Sequence, residues 1–354
     1  MIDSRRAELK ARTQQALDSF ADVPRDGLGA YLRLQACMIA LVELEDRCFN
    51  MDEDPYPPLL KMLSNIQALP LSFSQVYAHL NFDASANATP DDDHAGTREL
   101  FQTAWTTYDH KTYAHSLKLM QSRLECSGFD DEYFAGKRCI DSGCGTGRFA
   151  IAMALAGAKE VIAADFGDES LAFLEERKKE YNVPQVTPIK MDVTDMFAFE
   201  TESFDFVASH GVLHHTPHPD RGIKEHFRIT KPGGQLWLYL YGAGGIYWPL
   251  YDELRKLLLG IEPKHIRAIF QAFGLRKGLI YTFLDNFLAP RVYYGLEQTL
   301  DLLRPLHKFS FVHMKGTSPV DDTEKVLATK WGKELWGPDG EVRIVVTKDA
   351  IRDR

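Results

Sequence analysis

Three glycines at alternate positions, Gly143, Gly145 and Gly147, follow an acid, Asp141, in the stretch Lys137-Arg-Cys-Ile-Asp-Ser-Gly-Cys-Gly-Thr-Gly-Arg148. Residues without a Cβ let the backbone turn sharply and let a ligand lie against it. The apolar residues before the turn read as a buried strand and those after it, through Ala156, as a helix, so the stretch forms a ligand cradle between the two. A dinucleotide-binding fingerprint counted from Gly143 would need its third glycine at 148, where Arg148 stands. A carboxylate where a pyrophosphate would sit favours, by charge matching, a cofactor carrying a cationic amino-acid group. A second acid, Asp165, ends the apolar run Val161-Ile-Ala-Ala-Asp165 eighteen residues beyond Gly147. From that position an acid takes a ribose diol in nucleotide-binding folds.

A second group of residues with chemical capacity is Ser209-His210-Gly-Val-Leu-His214-His215-Thr-Pro-His218, which follows the apolar run Phe204 to Ala208. Imidazoles titrate near neutral pH, so His210, His214 and His215 are candidate general bases; the alternative is that they shape the loop. Together with His218 and Asp220 they could suggest a metal site, but the spacing spans a strand end and a proline-interrupted loop that imposes no ligand geometry. No metal is expected.

Further pieces stand in order between and after these two: an amphipathic helix with Leu171 and Leu174, a strand ending at Met191-Asp192-Val193, and Lys231-Pro-Gly-Gly-Gln-Leu-Trp-Leu-Tyr-Leu-Tyr241. Over residues 137 to 242 the set resembles the class I S-adenosylmethionine (SAM) dependent methyltransferases of the small-molecule type. The resemblance implies an α/β fold, a Rossmann-like seven-stranded doubly wound sheet, with SAM as cofactor. It implies Asp141, Gly143, Cys144, Gly145 and Gly147 around the amino-acid portion of SAM, Asp165 and Phe166 at the ribose, Asp192 and Val193 near the adenine, and Ser209 on the fourth strand. In such proteins the helix before the first strand folds over the cofactor, which makes Tyr108, Tyr113 and His115 candidates for closing the site. The alternative for Tyr113 is a packing face shared with Leu117, Met120 and Leu124. The Asn-Pro-Pro-Tyr or Asp-Pro-Pro-Tyr motif of nucleic-acid amino-methylating relatives is replaced here by Ser209-His210-Gly211-Val212.

The elements that must position these residues divide the chain of 354 residues into four parts. Residues 1–96 read as an N-terminal helical bundle and linker. Leu9, Thr13, Leu17 and Phe20 share one helical face, Leu34 to Val42 forms a buried helix, and a third helix opens at Pro57-Pro58 and ends before Pro70. Ala, Asn, Asp, Thr and Pro dominate 81–96, as in a linker. Residues 97–242 hold the SAM-binding core and its preceding cap helices. Residues 243–340 read as a helical insertion after the fifth strand, rich in Tyr and Trp, that walls a substrate pocket or closes over it as a lid; the alternative is an added helical layer or a dimer interface. Residues 341–354 supply a terminal strand, Glu341 to Val346, and a tail.

A formal net charge of −9, with Lys and Arg interspersed among the acids, argues against a nucleic-acid substrate, which would select a concentrated basic face. Pro232 to Tyr251 carries no charged side chain over the length of a membrane span, but its six glycines and prolines counted from Gly233 suit a strand and loop, so no membrane segment is expected. Five cysteines with no C-x-x-C pair and an N-terminus lacking a signal-peptide core fit a reduced, cytoplasmic compartment. The expected function is methyl transfer from SAM to an oxygen, nitrogen or carbon of a small metabolite, by a monomer or a homodimer. Two alternatives share the cofactor site. One is attack at another SAM carbon, as in cyclisation to azetidine-2-carboxylate or aminobutyrate transfer, with release of methylthioadenosine; the other is a SAM-binding module without catalysis.

Overall fold

The computed structural model describes residues 2–77, 109–272, 274–275 and 277–350. Two compact units emerge: one comprises Met1–Gly96, Gly244–Ala289 and Thr329–Pro338, the other Thr97–Ala243, Pro290–Ala328 and Asp339–Arg354.

The second unit is built on a seven-stranded sheet. Its strands are β1 (Arg138–Ser142), β2 (Glu160–Asp165), β3 (Val186–Lys190), β4 (Phe204–His210), β5 (Thr230–Leu240), β6 (Phe309–His313) and β7 (Val342–Lys348), in the spatial order β3-β2-β1-β4-β5-β7-β6. The first five strands are parallel, and β7 runs antiparallel to both β5 and β6. Parallel strands are covered on both faces, which explains the continuous burial of Cys139 to Ser142 and Val161 to Asp165. One face packs on Phe129, Phe134 and Phe149, the other on Ile223, Phe227 and Leu300. Strand order reverses between β1 and β4, and a crevice at the carboxyl ends of the strands is where such sheets take ligands.

The region expected as one helical insertion is divided. Residues 244–289 and 329–338 join the N-terminal helices, whereas 290–328 belong to the sheet unit, because β6 within it pairs with β7 from Phe309↔Lys348 to His313↔Ile344. In the first unit, α1 (Ile2–Asp18), α2 (Gly27–Phe49) and α3 (Tyr56–Tyr77) are the three expected helices. On α1 the buried face carries Leu9, Thr13 and Ala16. The helix α3 runs through Pro70 instead of stopping before it, at the cost of the one hydrogen bond that Pro70 cannot donate. Arg33, buried on α2, donates to the carbonyls of Phe20, Val23, Pro24 and Leu257 and so ties the α1–α2 turn to the segment after Tyr247–Leu254.

A buried ionic cluster joins the helix before β1 to β7 and the segment before it. Asp321 accepts from Arg123 Nε (3.1 Å) and Nη2 (2.8 Å) and from Arg343 Nη1 (2.9 Å). Arg343 also donates to Glu341 at 2.8 Å, and its guanidinium lies 3.9 Å from the Tyr239 ring centroid. Burial alone would raise the Asp321 pKa, but the guanidiniums of Arg123 and Arg343 hold it below the ordinary carboxylate range. Its stabilising contribution is therefore present above the ordinary carboxylate pKa and is lost as pH falls below it. Asp321→Ala leaves two buried cations sharing one fewer anion. It should cost about 3 kcal/mol, read as a fall in the urea unfolding midpoint at pH 7 that shrinks as pH drops toward 3; an unchanged midpoint would contradict this account of the cluster.

Candidate active site

The turn leaving β1 is shaped by its glycines at two points. Gly143 has φ +75°, and a Cβ there would meet Val212 Cγ1 at 2.3 Å; Gly147 has φ +76°, and a Cβ there would meet Leu174 Cδ1 at 2.2 Å. Both positions combine a left-handed backbone with a filled space, so only glycine fits. Gly147 then caps the helix Arg148–Leu155.

Three side chains fix the turn from different sides. Asp141, 2% exposed, accepts from the Ala150 N–H at 2.9 Å. Asp165 accepts from Gly145 N–H through Oδ2 and from Gly167 N–H through Oδ1, both at 2.8 Å. Tyr113 donates from its hydroxyl to the Thr146 carbonyl at 2.9 Å. Burial lifts Asp141 to about 7, against the pull of the Ala150 N–H, and nearby Asp165 adds to the lift while Arg148 opposes it. Burial likewise raises Asp165, opposed by the backbone N–H groups of Gly167, Gly145 and Phe166. Two carboxylates held this way make a site that gains from a cationic group, as a SAM ammonium would supply.

Further polar atoms collect at the same ends of the strands. Asp141 pairs with Ala208 across β1 and β4, so Ser142 and Ser209 lie side by side one residue further on. Among the described residues, the buried Ser142 Oγ, Thr146 Oγ1, Ser209 Oγ and His214 Nε2 make no hydrogen bond within the protein. Buried polar atoms without partners are uncommon; Ser142 and Thr146 belong to the end of β1 and the glycine turn, Ser209 and His214 to the end of β4 and the turn after it.

The remaining cofactor residues fall into three kinds. Asp165 keeps a second lone pair on each oxygen for a ribose diol, and Phe166, half-buried, follows it directly. Asp192 is exposed, and its Oδ1 accepts from Thr194 N–H and Oγ1 at 2.8 Å, folding the loop after β3. The side chain of Val193 points into the core beside Met196 and Phe204 rather than at a ligand. Tyr113 is also a correction: it is fully buried against Phe173 and Tyr181, and it reaches the site only by holding the loop through Thr146. His115 on the same helix is exposed, and Tyr108 lies outside the described residues. Cys144 is buried, with burial pushing its thiol well above the ordinary range, so it is a neutral member of the loop.

The three histidines have three different environments. Burial, with the guanidiniums of Arg123, Arg343 and Arg148, pushes His210 well below its ordinary pKa; Trp237 Nε1–H donates to its Nδ1 at 2.9 Å, and Phe149 stacks on its ring at 5.4 Å. That corrects the expectation of His210 as a base, since its lone pair is taken by Trp237. His214 is fully buried and also held neutral, first by burial and then by neighbouring His215 and Arg291. It stacks on Tyr241 at 3.8 Å and accepts the Tyr241 backbone N–H through Nδ1 at 3.3 Å, so Nε2 bears the proton and cannot act as a base. His215 has the opposite tautomer. Its Nδ1 lies 2.7 Å from the Pro290 carbonyl, an acceptor only, which puts the proton on Nδ1 and the lone pair on Nε2. The chain at 290–292 that sets this tautomer, and binds the His214 carbonyl through Val292 N–H at 2.8 Å, carries no signal in the sequence that ties it to the histidines. Arg123, Trp237 and Arg343 were likewise missed; the one available hint was a charged residue, Arg343, inside the apolar run of β7.

Tyr113→Phe removes a single buried hydrogen bond to the cofactor loop, worth about 1 kcal/mol. It should weaken S-adenosylhomocysteine binding severalfold in a calorimetric titration while leaving the fold intact by circular dichroism. An unchanged affinity would mean that Tyr113 serves packing alone.

Known proteins are similar to part of this chain. Residues 140–238 match the family described as a methyltransferase domain. A ubiquinone biosynthesis O-methyltransferase of Pseudomonas savastanoi pv. phaseolicola is 37% identical over 103 residues, 29% of this chain and 44% of that protein. The Xanthomonas oryzae pv. oryzae protein of the same name is 38% identical over 104 residues, 29% of this chain and 43% of that one. The chain thus spans under half the length of these curated relatives. Among solved structures, an S-adenosylmethionine dependent methyltransferase from Mesorhizobium loti is 17% identical, covering 66% of this chain and 94% of that one with a TM-score of 0.38. A geranyl diphosphate methyltransferase in complex with SAM is 13% identical, covering 70% and 95% with a TM-score of 0.41. With the sheet order and the glycine turn between two buried acids in place, residues 140–238 resemble a methyltransferase domain of the SAM-dependent kind.

Proposed function

We propose that the protein transfers the methyl group of SAM to a hydroxyl oxygen of a small metabolite, with His215 receiving the hydroxyl proton. The observation that carries this reading is the 2.7 Å contact between His215 Nδ1 and the Pro290 carbonyl, which orients the ring with Nε2 as its basic nitrogen. SAM, when bound, supplies a methyl carbon on a sulfonium, already activated toward in-line displacement. The chain's own part is then to align the acceptor, exclude water and take one proton. Asp141, Asp165 and the loop from Gly143 to Gly147 would hold the cofactor, and His214 would shape the turn that presents His215.

Oxygen is favoured over nitrogen or carbon because a hydroxyl must lose a proton as it is methylated, which a neutral imidazole can accept near neutral pH. The ubiquinone biosynthesis O-methyltransferases to which part of this chain is similar support the same atom. A small acceptor in place of a nucleic acid is supported by the net charge of −9.

The test is a product analysis with SAM and a panel of catechols and phenols, including 3,4-dihydroxybenzoate. S-adenosylhomocysteine should form only when an acceptor is present, and His215→Asn should lower kcat by roughly 10²–10⁴-fold with SAM affinity retained. Acceptor-independent release of methylthioadenosine would overturn methyl transfer as the activity, and an undiminished kcat in His215→Asn would remove this residue as the base.

A further inference from the structure

The Pro290 carbonyl that receives His215 Nδ1–H begins a short strap, Pro290 to Tyr294, whose backbone is tied to the histidine turn and to the end of β5. Val292 N–H donates to the His214 carbonyl at 2.8 Å, Tyr294 N–H to the Tyr241 carbonyl at 2.9 Å, and Ala243 N–H to the Tyr294 carbonyl at 3.1 Å. Tyr294 thus lies parallel to Gly242 as a strand one bridge long. Pro290 has no N–H with which to anchor itself, so its carbonyl takes its place from the bonds further along the strap.

The strap ends in a side-chain bond. Tyr294 is buried in the apolar cluster that holds Leu213 and Ile223, and its hydroxyl donates to Asp220 Oδ1. Burial, and then the bond to Asp220, raise the Tyr294 phenol well above its ordinary range, so it remains a donor. A bond from a hydroxyl to a carboxylate is charge-assisted and stronger than the backbone bonds around it. Asp220 lies in the first turn of the helix Pro219–Ile229, just after the histidine turn Leu213–His215. The chain between them is stiff: Pro217 and Pro219 each fix a φ angle, and Thr216 Oγ1 donates to the Leu213 carbonyl at 2.7 Å. His215 and Asp220 are therefore joined twice, once through this stiff chain and once through the Pro290 carbonyl, the strap and Tyr294, which closes a ring.

We propose that the bond between Tyr294 and Asp220 is the clasp of this ring, and that both are positioning residues for His215: by fixing the strap, they hold the Pro290 carbonyl on Nδ1 and so keep Nε2 as the basic nitrogen. An imidazole that loses its carbonyl partner is free to carry its proton on either nitrogen, and only one of the two tautomers can take a proton at Nε2. The consequence for catalysis rests on the reading of His215 as the base; the tautomer that the clasp sets does not. Because both residues act through the carbonyl, their loss should lower kcat and leave the affinity for SAM as it is.

The experiment is nitrogen NMR of histidine-labelled protein at a pH where the ring is neutral, with the His215 signals identified by their loss in His215→Asn. The wild type should carry the proton on Nδ1. Tyr294→Phe keeps the ring in the core and removes only the hydroxyl; it should shift the tautomer ratio toward Nε2–H roughly tenfold, and lower kcat by a similar factor with the best acceptor among the catechols and phenols. Asp220 is exposed, so Asp220→Ala tests the same bond without touching the core and should give the same result. Asp220→Asn, whose amide oxygen still accepts, should keep the Nδ1–H tautomer and most of kcat. The double variant should be no worse than either single one, as for two ends of one bond. A wild-type proton on Nε2, or a tautomer unmoved in both Tyr294→Phe and Asp220→Ala, overturns the clasp, whether or not an acceptor has been found. A moved tautomer with an unchanged kcat supports the clasp and removes His215 as the base, which tells the failure of one reading from that of the other.

Discussion

The site depends on one constraint: a backbone turn in left-handed conformation must be held rigid where no side chain can grip it. Gly143 and Gly147 can adopt φ near +75° only because they lack side chains, so the restraint has to come from neighbours. Asp141 grips the turn's exit through Ala150, Asp165 its middle through Gly145, and Tyr113 its far side through the Thr146 carbonyl. Each grip uses a buried polar group. Burial raises the proton affinity of both acids, and Asp165 adds to the rise at Asp141, so the rigidity of the loop and its appetite for a cation have the same origin.

The opposite electrostatic sign prevails at the end of β4. There Arg123 and Arg343 flank a neutral His210, and the acids between them, Asp321 and Glu341, are engaged by those same guanidiniums. The histidine pair completes the arrangement without adding charge. His214 takes a backbone N–H and His215 gives a proton to a backbone carbonyl, so two adjacent imidazoles of the same sequence type have opposite proton positions.

How much of this was legible in the sequence follows from separation along the chain. The strand, the glycine turn and the acids at 141 and 165 are local patterns, because φ > 0 selects glycine and a buried parallel strand selects an unbroken apolar run. The seven-stranded doubly wound sheet was implied by the resemblance that the succession of motifs carries. What was not legible joins distant segments: Arg123 to Asp321, Arg343 to Tyr239, and His215 to Pro290. No local periodicity encodes such contacts. Tyr113 sat on the boundary, since its helical spacing with Leu117 and Met120 announced burial while the bond of its hydroxyl to the loop could not be seen. The strand β6 was missed for another reason. Its alternation is half-buried at an edge, and five such residues between helical stretches resemble a loop.

The central claim, that the turn between Asp141 and Asp165 is a SAM site, is tested most directly by calorimetric titration of SAM into the wild-type protein and Asp165→Ala. The geometry predicts tight binding to the wild type and the loss of most of that affinity in the variant, since removing Asp165 releases Gly145 and deletes the ribose acceptor together, at about 1.5–3 kcal/mol for each charge-assisted hydrogen bond. Equal affinities for the two proteins would contradict it.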